Sequence, residues 1–527
     1  MHKRYYFFYF SIFSLLLSMI NMAITGNGFF WFLITFFIVV IGFYDISQGQ
    51  RTILRNYPII GHLRYFFEFI RPEIRQYFIE SDTESVPFSR TQRSLVYQRS
   101  KQQSDKRPFG SQLDHEHEQY LWLTHSIKTS FIKDHDFRVM IGDHGCQKPY
   151  SASIFNISAM SFGALSGNAI KALNTGAKKG NFAQDTGEGS ISKYHHYGGD
   201  LIWEIGSGYF GCRDSKGQFN EENFSEMSSH QQVKMIEIKL SQGAKPGHGG
   251  ILPAKKVTTE IAVARGIEAY QDCISPANHS SFESPEGLIE FIKKLKQLSG
   301  GKPVGIKLCI GKPQDWLAIV KAMLKNGTAP DFIVIDGAEG GTGAAPLEFI
   351  DHVGMPMKEA LHLVHNSLIG TGLRDRIKIG CAGKIISAFD ICLAQALGAD
   401  WCNSARGFMF SLGCIQSLSC HTDQCPTGVA TQDPLRQQGL IVKDKAERVY
   451  HYHQNTLVAL KELMEAAGLS HPCEITKENI HLKKDAKLSL LSDLYPEIEA
   501  NNILNSNFKN LPAWFEACWR AADEKTF

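Results

Sequence analysis

Hydrophobic positions are spread very unevenly along this chain. Residues 5–24 and 29–44 form two almost uncharged apolar runs, separated by the turn-like Thr25-Gly26-Asn27-Gly28. About 20 apolar residues span the hydrocarbon core of a bilayer as a helix, and a shorter aromatic-rich run can span with its ends in the interface. The pattern predicts a transmembrane helical hairpin over residues 1–45. A cleaved signal peptide competes with that reading, but no small-residue cleavage site separates the runs and a second apolar run follows the first. Lys3 and Arg4 precede the first run while Arg51 and Arg55 follow the second, so the positive-inside rule puts both ends, and the chain beyond them, in the cytoplasm. Residues 46–149 read as a membrane-proximal, partly helical segment. Its Arg64, Tyr65, Phe66, Phe67, Arg71, Arg75, Tyr77 and Phe78 suit either lipid headgroups or a solvated helical collar. Asp114-His115-Glu116-His117-Glu118 reads as an exposed polar patch.

From about residue 150 to 470 short β-branched runs alternate with amphipathic helical stretches, the mark of an α/β chain. Ser284-Pro285 opens one helix, with Leu288, Phe291, Ile292 and Leu295 on one face and Gly300-Gly301 as its stop; the strand 304–310 follows. A second helix carries Trp316, Ile319, Val320 and Met323, stops at Gly327 and leads to strand 332–335. Helices over 357–369 and 386–397 precede strands 377–380 and 401–404. Polar or glycine-rich residues close successive strands: Lys307, Asp336-Gly337, Gly380 to Gly383, and Ser404 to Gly407. A closed barrel gathers such ends on one rim, and no GxGxxG follows an early strand, so the expected fold is a (β/α)8 TIM-type barrel rather than an open dinucleotide-binding sheet. Residues 471–527 are expected to form a C-terminal helical extension.

Lys and Arg number 55 against 53 for Asp and Glu, so no global field points to nucleic acid. Twelve cysteines in so long a chain do not suggest a disulfide scaffold. Three of them, Cys414, Cys420 and Cys425, fall together as C-x5-C-x4-C. Three thiolates suit a 3Fe-4S cluster, although the spacing differs from common ferredoxin patterns. Zinc with His421, or buried unligated thiols, stay open on spacing alone.

The block GCIQSLSCHTDQCPTGVATQDP strongly resembles the cluster-binding segment of the glutamate synthase large subunit. SAMSFGALS, TGEG, QGAKPG, GGTGAAP and GLRDR follow the same family in order, over about residues 150–470. The resemblance implies an FMN barrel carrying a 3Fe-4S cluster that feeds the flavin single electrons. It places Ser158, Ala159, Met160, Ser161 and Gln242 at the flavin, with Asp336 at a neighbouring strand end. Lys307 is expected as a rim cation near flavin N1 and O2, with a buried structural ion pair as the competitor. Gly380, Gly383, Ser404, Ala405 and Arg406 are expected around the FMN phosphate. Glu188, Lys239, Lys245 and Arg265 match charged positions around the flavin and a 2-oxo acid, with Lys245 leading for substrate or electron relay and Glu188 for proton transfer.

The implied reaction joins 2-oxoglutarate and ammonia, then reduces the 2-imino acid to L-glutamate. The electron donor would be a ferredoxin or an NAD(P)H-oxidising partner, and membrane lipid is a further expected contact. The family's amidotransferase and β-helical domains are not expected here, so nitrogen would arrive as ammonia, as an amine or from a separate chain. The substrate block reads GAKPGHGGILP where the family usually reads GAKPGEGGQLP: His248 and Ile251 replace a carboxylate and an amide. That change favours, as rivals, another amine or 2-oxo acid substrate; a membrane-bound electron-transfer subunit is the remaining alternative.

Overall fold

The computed structural model describes residues 3–84, 87–509 and 511–527. They form two compact units, which divide between residues 86 and 87. Residues 46–149 are divided between the two.

In the first unit, α1 (Tyr6–Thr25) and α2 (Phe29–Ser47) pack as an antiparallel hairpin. Gly26, at φ 67, closes α1 in the left-handed conformation that glycine adopts without strain. Ser18 and Thr35 hydroxyls meet at 3.0 Å across the pair. Gly42 allows the close crossing, because a Cβ there would stand 2.4 Å from the Phe8 ring. Both helices are long and apolar enough to cross a membrane. The second extends three residues past the apolar run, since the Asp45 carboxylate is buried against the Ile59 N–H and His62 Nε2, each at 2.9 Å.

The second unit is a closed barrel of eight parallel strands. They are β1 (Phe155–Ile157), β2 (Ala183–Asp185), β3 (Asp200–Ile205), β4 (Val233–Lys239), β5 (Val304–Leu308), β6 (Phe332–Asp336), β7 (Lys378–Ala382) and β8 (Trp401–Ser404). They follow one another around the barrel, and β8 closes on β1 with Cys402 opposite Phe155. The outer helices are α3 (Gly167–Gly180), α4 (Glu221–Ser229), α5 (Pro285–Leu298), α6 (Pro313–Asn326), α7 (Met357–Gly370), α8 (Ala388–Ala396), α9 (Arg406–Leu412) and α10 (Val442–Ala467). Only a short 3-10 turn, Lys193–His195, joins β2 to β3, so the β/α alternation lapses once. Strand backbones are buried on both faces, which is why these strands read as apolar runs. The Ser284 side chain caps α5 by accepting from the Gly287 N–H at 3.1 Å.

The long helix α10 lies on α3 over Gly176, where a Cβ would meet Val449 at 2.6 Å. A hairpin of Arg138–Ile141 and Tyr150–Ser153 precedes the barrel. The C-terminal region is not purely helical: Ile480–Lys484 and Lys487–Leu490 pair, and Leu121–Leu123 joins them as a third strand. That pairing fastens the part of 46–149 beyond residue 87 to the end of the chain.

Candidate active site at the barrel mouth

Four charged side chains from separate segments converge where the strands end. Glu188 follows β2, Lys239 ends β4, Lys245 lies in the next loop, and Arg265 ends a short helix, Thr259–Arg265. Lys239 Nζ lies 3.2 Å from Glu188 Oε2. Arg265 Nη2 donates to the Phe162 carbonyl at 3.2 Å and reaches Ser161 Oγ at 3.5 Å, while its buried Nε finds no partner among the described residues. Lys245, only 2% exposed, donates to the Gly249 carbonyl at 2.7 Å. Burial opposes ionisation of Glu188, but Lys239, Arg265 and Lys245 together outweigh it and hold its carboxyl below the ordinary carboxylate range. Burial also pulls the Lys245 ammonium below its usual range, with Glu188 acting against that shift and Lys239 adding to it.

Glycines let the loops close on these charges. A Cβ on Gly250 would stand 2.4 Å from Glu188 Oε1, and one on Gly187, at φ 63, would stand 2.7 Å from the Ser161 N. The TGEG loop thus packs against Met160 and Ser161, the end of the turn 158–161 that carries β1 to the rim. Ser158 N–H donates to the Ser404 carbonyl at 3.1 Å, which ties that turn to β8. Gln242 is half-buried at the start of the substrate block, and the next residue, Gly243, donates its N–H to Asp336 Oδ2 at 3.0 Å. Burial pushes the Asp336 carboxyl up, against that bond and Lys307. His248 turns edge-on to Phe349, 5.3 Å between ring centroids, and Ile251 stays partly exposed on the short strand Ile251–Leu252.

Two expected site residues sit deeper than the rim. Lys307 is buried inside the barrel, paired with Glu204 and 3.5 Å from Glu237 Oε1. Its ammonium faces both of those carboxylates. Gly380 lies within β7, where a Cβ would strike the Trp401 indole at 2.4 Å. The missing side chain there leaves room for that indole. Gly383, Ser404 and Ala405 do lie at the strand ends. Arg406 packs its guanidinium over Gly341, where a Cβ would come within 2.6 Å of Nη2.

Asp185, Glu204 and Glu237 were missed. Their carboxylate oxygens gather within 4.8 Å of one another in the barrel interior, beside Lys307. Asp185 Oδ2 and both oxygens of Glu237 accept no hydrogen bond among the described residues. Burial, then repulsion from Glu204, pushes the Asp185 carboxyl up to about 7, and burial with Asp185 raises Glu237 further. The available signal was a single acid inside each apolar strand, LIWEI and VKMIEIK.

The cysteine segment is fastened to several rim loops. Gln432 Nε2 donates to the Gly163 and Leu165 carbonyls at 3.0 Å each, and a Cβ on Gly343 would touch Cys420 at 3.3 Å. Lys256, also missed, is buried and donates to the Cys420 carbonyl at 2.8 Å and the Ala430 carbonyl at 3.1 Å, which links the substrate block to the cysteines. Burial raises the Cys425 thiol, but the Thr427 hydroxyl and the N–H groups of Ala430, Thr427 and Val429 outweigh it and favour the thiolate. Burial pushes Cys414 up to about 11. None of the twelve cysteines is in a disulfide. The three sulfurs are not among the described groups close enough to share one ion.

A family profile described as the conserved region in glutamate synthase matches residues 91–470. The glutamate synthase large subunit-like protein YerD of Bacillus subtilis is 39% identical over 84% of this chain and 91% of its own length. An archaeal glutamate synthase [NADPH] of Methanocaldococcus jannaschii is 38% identical over 60% of this chain, and the match spans 59% of that relative. Among solved structures, the flavin-binding domain of baker's yeast flavocytochrome b2 aligns at 12% identity and a TM-score of 0.43, over 85% of this chain and 92% of that one. Those values are too low to bear on function. The profile over residues 91–470 and the YerD match together show that the chain belongs to the glutamate synthase family and is a glutamate synthase-like oxidoreductase.

Proposed function

We propose that this chain reduces a 2-imino acid, formed from 2-oxoglutarate and ammonia, to L-glutamate. The observation that carries the reading is the convergence of Lys239, Lys245 and Arg265 on a single carboxylate, Glu188. Three cations face Glu188 and, beyond it, Asp336, whose carboxyl burial pushes up, so the site is left with positive charge that a dicarboxylate would neutralise.

FMN would be held at the mouth by the turn of Ser158, Ala159, Met160 and Ser161 with Gln242, and its phosphate by the strand ends at Gly383, Ser404, Ala405 and Arg406. A 3Fe-4S cluster fits Cys414, Cys420 and Cys425, since donors already favour thiolate at Cys425. When bound, the cluster supplies single electrons and reduced FMN supplies the hydride. Lys245 and Arg265 would hold the substrate carboxylates and orient the imine carbon. Glu188, kept ionised by its neighbours, would accept and return a proton on the imine side. Lys307 with Glu204 and Glu237 would form the charged floor beneath. Electrons would come from a ferredoxin or an NAD(P)H-oxidising partner, and α1 and α2 would anchor the chain in a membrane with both helix ends on the cytoplasmic side.

His248 and Ile251 support a second reading, the same chemistry on another 2-oxo acid or amine. Both readings are tested on anaerobically purified protein, expected to carry FMN and about three irons per chain. After its flavin is reduced, 2-oxoglutarate with ammonium should reoxidise it. Reoxidation by other 2-oxo acids alone selects the second reading; reoxidation by none rejects both.

A further inference from the structure

The first unit, which ends before the matched region 91–470, carries an element that the barrel chemistry does not use. Beyond α2 the chain turns at Ile59, whose φ of 68 is costly for a β-branched residue. Its N–H is held by the buried Asp45 carboxylate, which also lies 2.9 Å from His62 Nε2. Past a short helix, Thr52–Asn56, this latch fastens the end of α2 to the start of the helix His62–Ile74, which continues as a π-turn over Arg75–Ile79.

Along that helix Leu63, Phe66, Phe67, Ile74, Tyr77 and Phe78 recur at helical spacing on one face, and all are exposed. Phe67 is 58% exposed and Phe78 84%. Arg64, Arg71 and Arg75 fall at i, i+7 and i+11, in a row beside the apolar stripe. Their pairs are few and surface-exposed, Arg64 with Glu68 at 3.9 Å and Arg75 with Glu84 at 2.5 Å, and such pairs hold little energy. A groove of about 790 Å3 is lined by apolar residues such as Phe67 and Ile74 together with all three arginines and one acid, Glu68. It has the size and the two-sided chemistry of a site for an acyl chain with an anionic head.

We propose that residues 62–79 lie in the membrane surface as a binding element for acidic phospholipid, with acyl chain along the stripe and phosphate on the arginine row. This rests on the reading of α1 and α2 as membrane spans, because the latch then holds the helix at the cytoplasmic end of α2. Charge complementarity selects the acidic lipid. Each arginine near an anionic surface is worth about a five-fold gain in binding, and with Glu68 offsetting about one of the three the row is worth roughly 25-fold.

The test uses the full chain in nanodiscs of phosphatidylcholine alone or phosphatidylcholine mixed with phosphatidylglycerol, read by hydrogen exchange. Protection at 62–79 should rise roughly ten-fold or more with phosphatidylglycerol, and the triple variant Arg64→Gln, Arg71→Gln, Arg75→Gln should lose that rise while residues 6–47 stay protected. Equal protection in the two lipids, or an unchanged triple variant, overturns the proposal with the spanning reading intact. Protection at 62–79 that appears in detergent and grows with protein concentration identifies a second copy as the occupant and also overturns it. Rapid exchange at 6–47 in both discs overturns the spanning reading and the proposal together.

Discussion

At the barrel mouth three cations, Lys239, Lys245 and Arg265, surround the single carboxylate of Glu188; inside the barrel three carboxylates, Asp185, Glu204 and Glu237, surround the single ammonium of Lys307. Glu237 and Lys239 stand only two residues apart on β4, so one strand contributes to both. The clusters use the same residue types with opposite imbalance, and the deficit each leaves differs accordingly. The mouth lacks anions, which an incoming dicarboxylate supplies. In the interior, burial and repulsion among the acids outweigh the one ammonium and push Asp185 and Glu237 up, whereas at the mouth the three cations outweigh burial and hold Glu188 down.

Removing the one interior cation tests this contrast most severely. Lys307→Met leaves buried carboxylates without a counter-ion and should cost about 3–5 kcal/mol, seen as a large fall in thermal stability. The matching change at the mouth, Lys245→Met, should leave stability nearly unchanged. It should lower kcat/KM for 2-oxoglutarate by about 10- to 100-fold, the worth of one hydrogen bond to a charged group. If the two variants exchange phenotypes, the assignment of the clusters is reversed.

The pH dependence should differ in sign. Burial, then repulsion from Glu204, pushes the folded Asp185 carboxyl up to about 7, against about 3.9 unfolded. The folded chain therefore binds that proton more tightly, and between those values each unit of rising pH removes about 1.4 kcal/mol of stability, levelling off above the folded value. Asp185→Asn should flatten this part of the Tm-versus-pH curve. Glu188 works the other way: its depressed carboxyl adds stability above its unfolded pKa, and that is lost as pH falls through the folded one. A smaller effect is expected of Ile251→Gln, which restores an amide at the edge of the mouth. If 2-oxoglutarate is the substrate, KM should fall a few-fold, about 1 kcal/mol; a rise would favour a different acceptor.

Much of the second half of the barrel was legible. Strands β5 to β8 and helices α5 to α8 lie within two residues of the expected bounds. Buried parallel strands read as apolar runs, while Ser284, Gly327 and Gly398 mark helix ends by capping chemistry that needs no partner elsewhere. Strands β1 and β2 are only three residues each and do not declare themselves by periodicity. The mouth residues were named through family resemblance, since nothing local joins Glu188 to Arg265. Depth along a strand was the harder quantity: Lys307 and Gly380 stand near the ends of apolar runs in the sequence, yet side-chain direction and a neighbouring indole put them inside the barrel wall. Lys256 was invisible because its partners, the carbonyls of Cys420 and Ala430, are backbone atoms more than 160 residues away.

The account turns on whether the mouth takes a dicarboxylic imine and converts it. The direct measurement is a single turnover: reduced protein, free of excess reductant, mixed with 2-oxoglutarate and isotopically labelled ammonium. Wild-type protein should yield about one labelled L-glutamate per reduced flavin, and Lys245→Met far less in the same time. No labelled glutamate from the wild type, or equal yields and rates from both proteins, would contradict it.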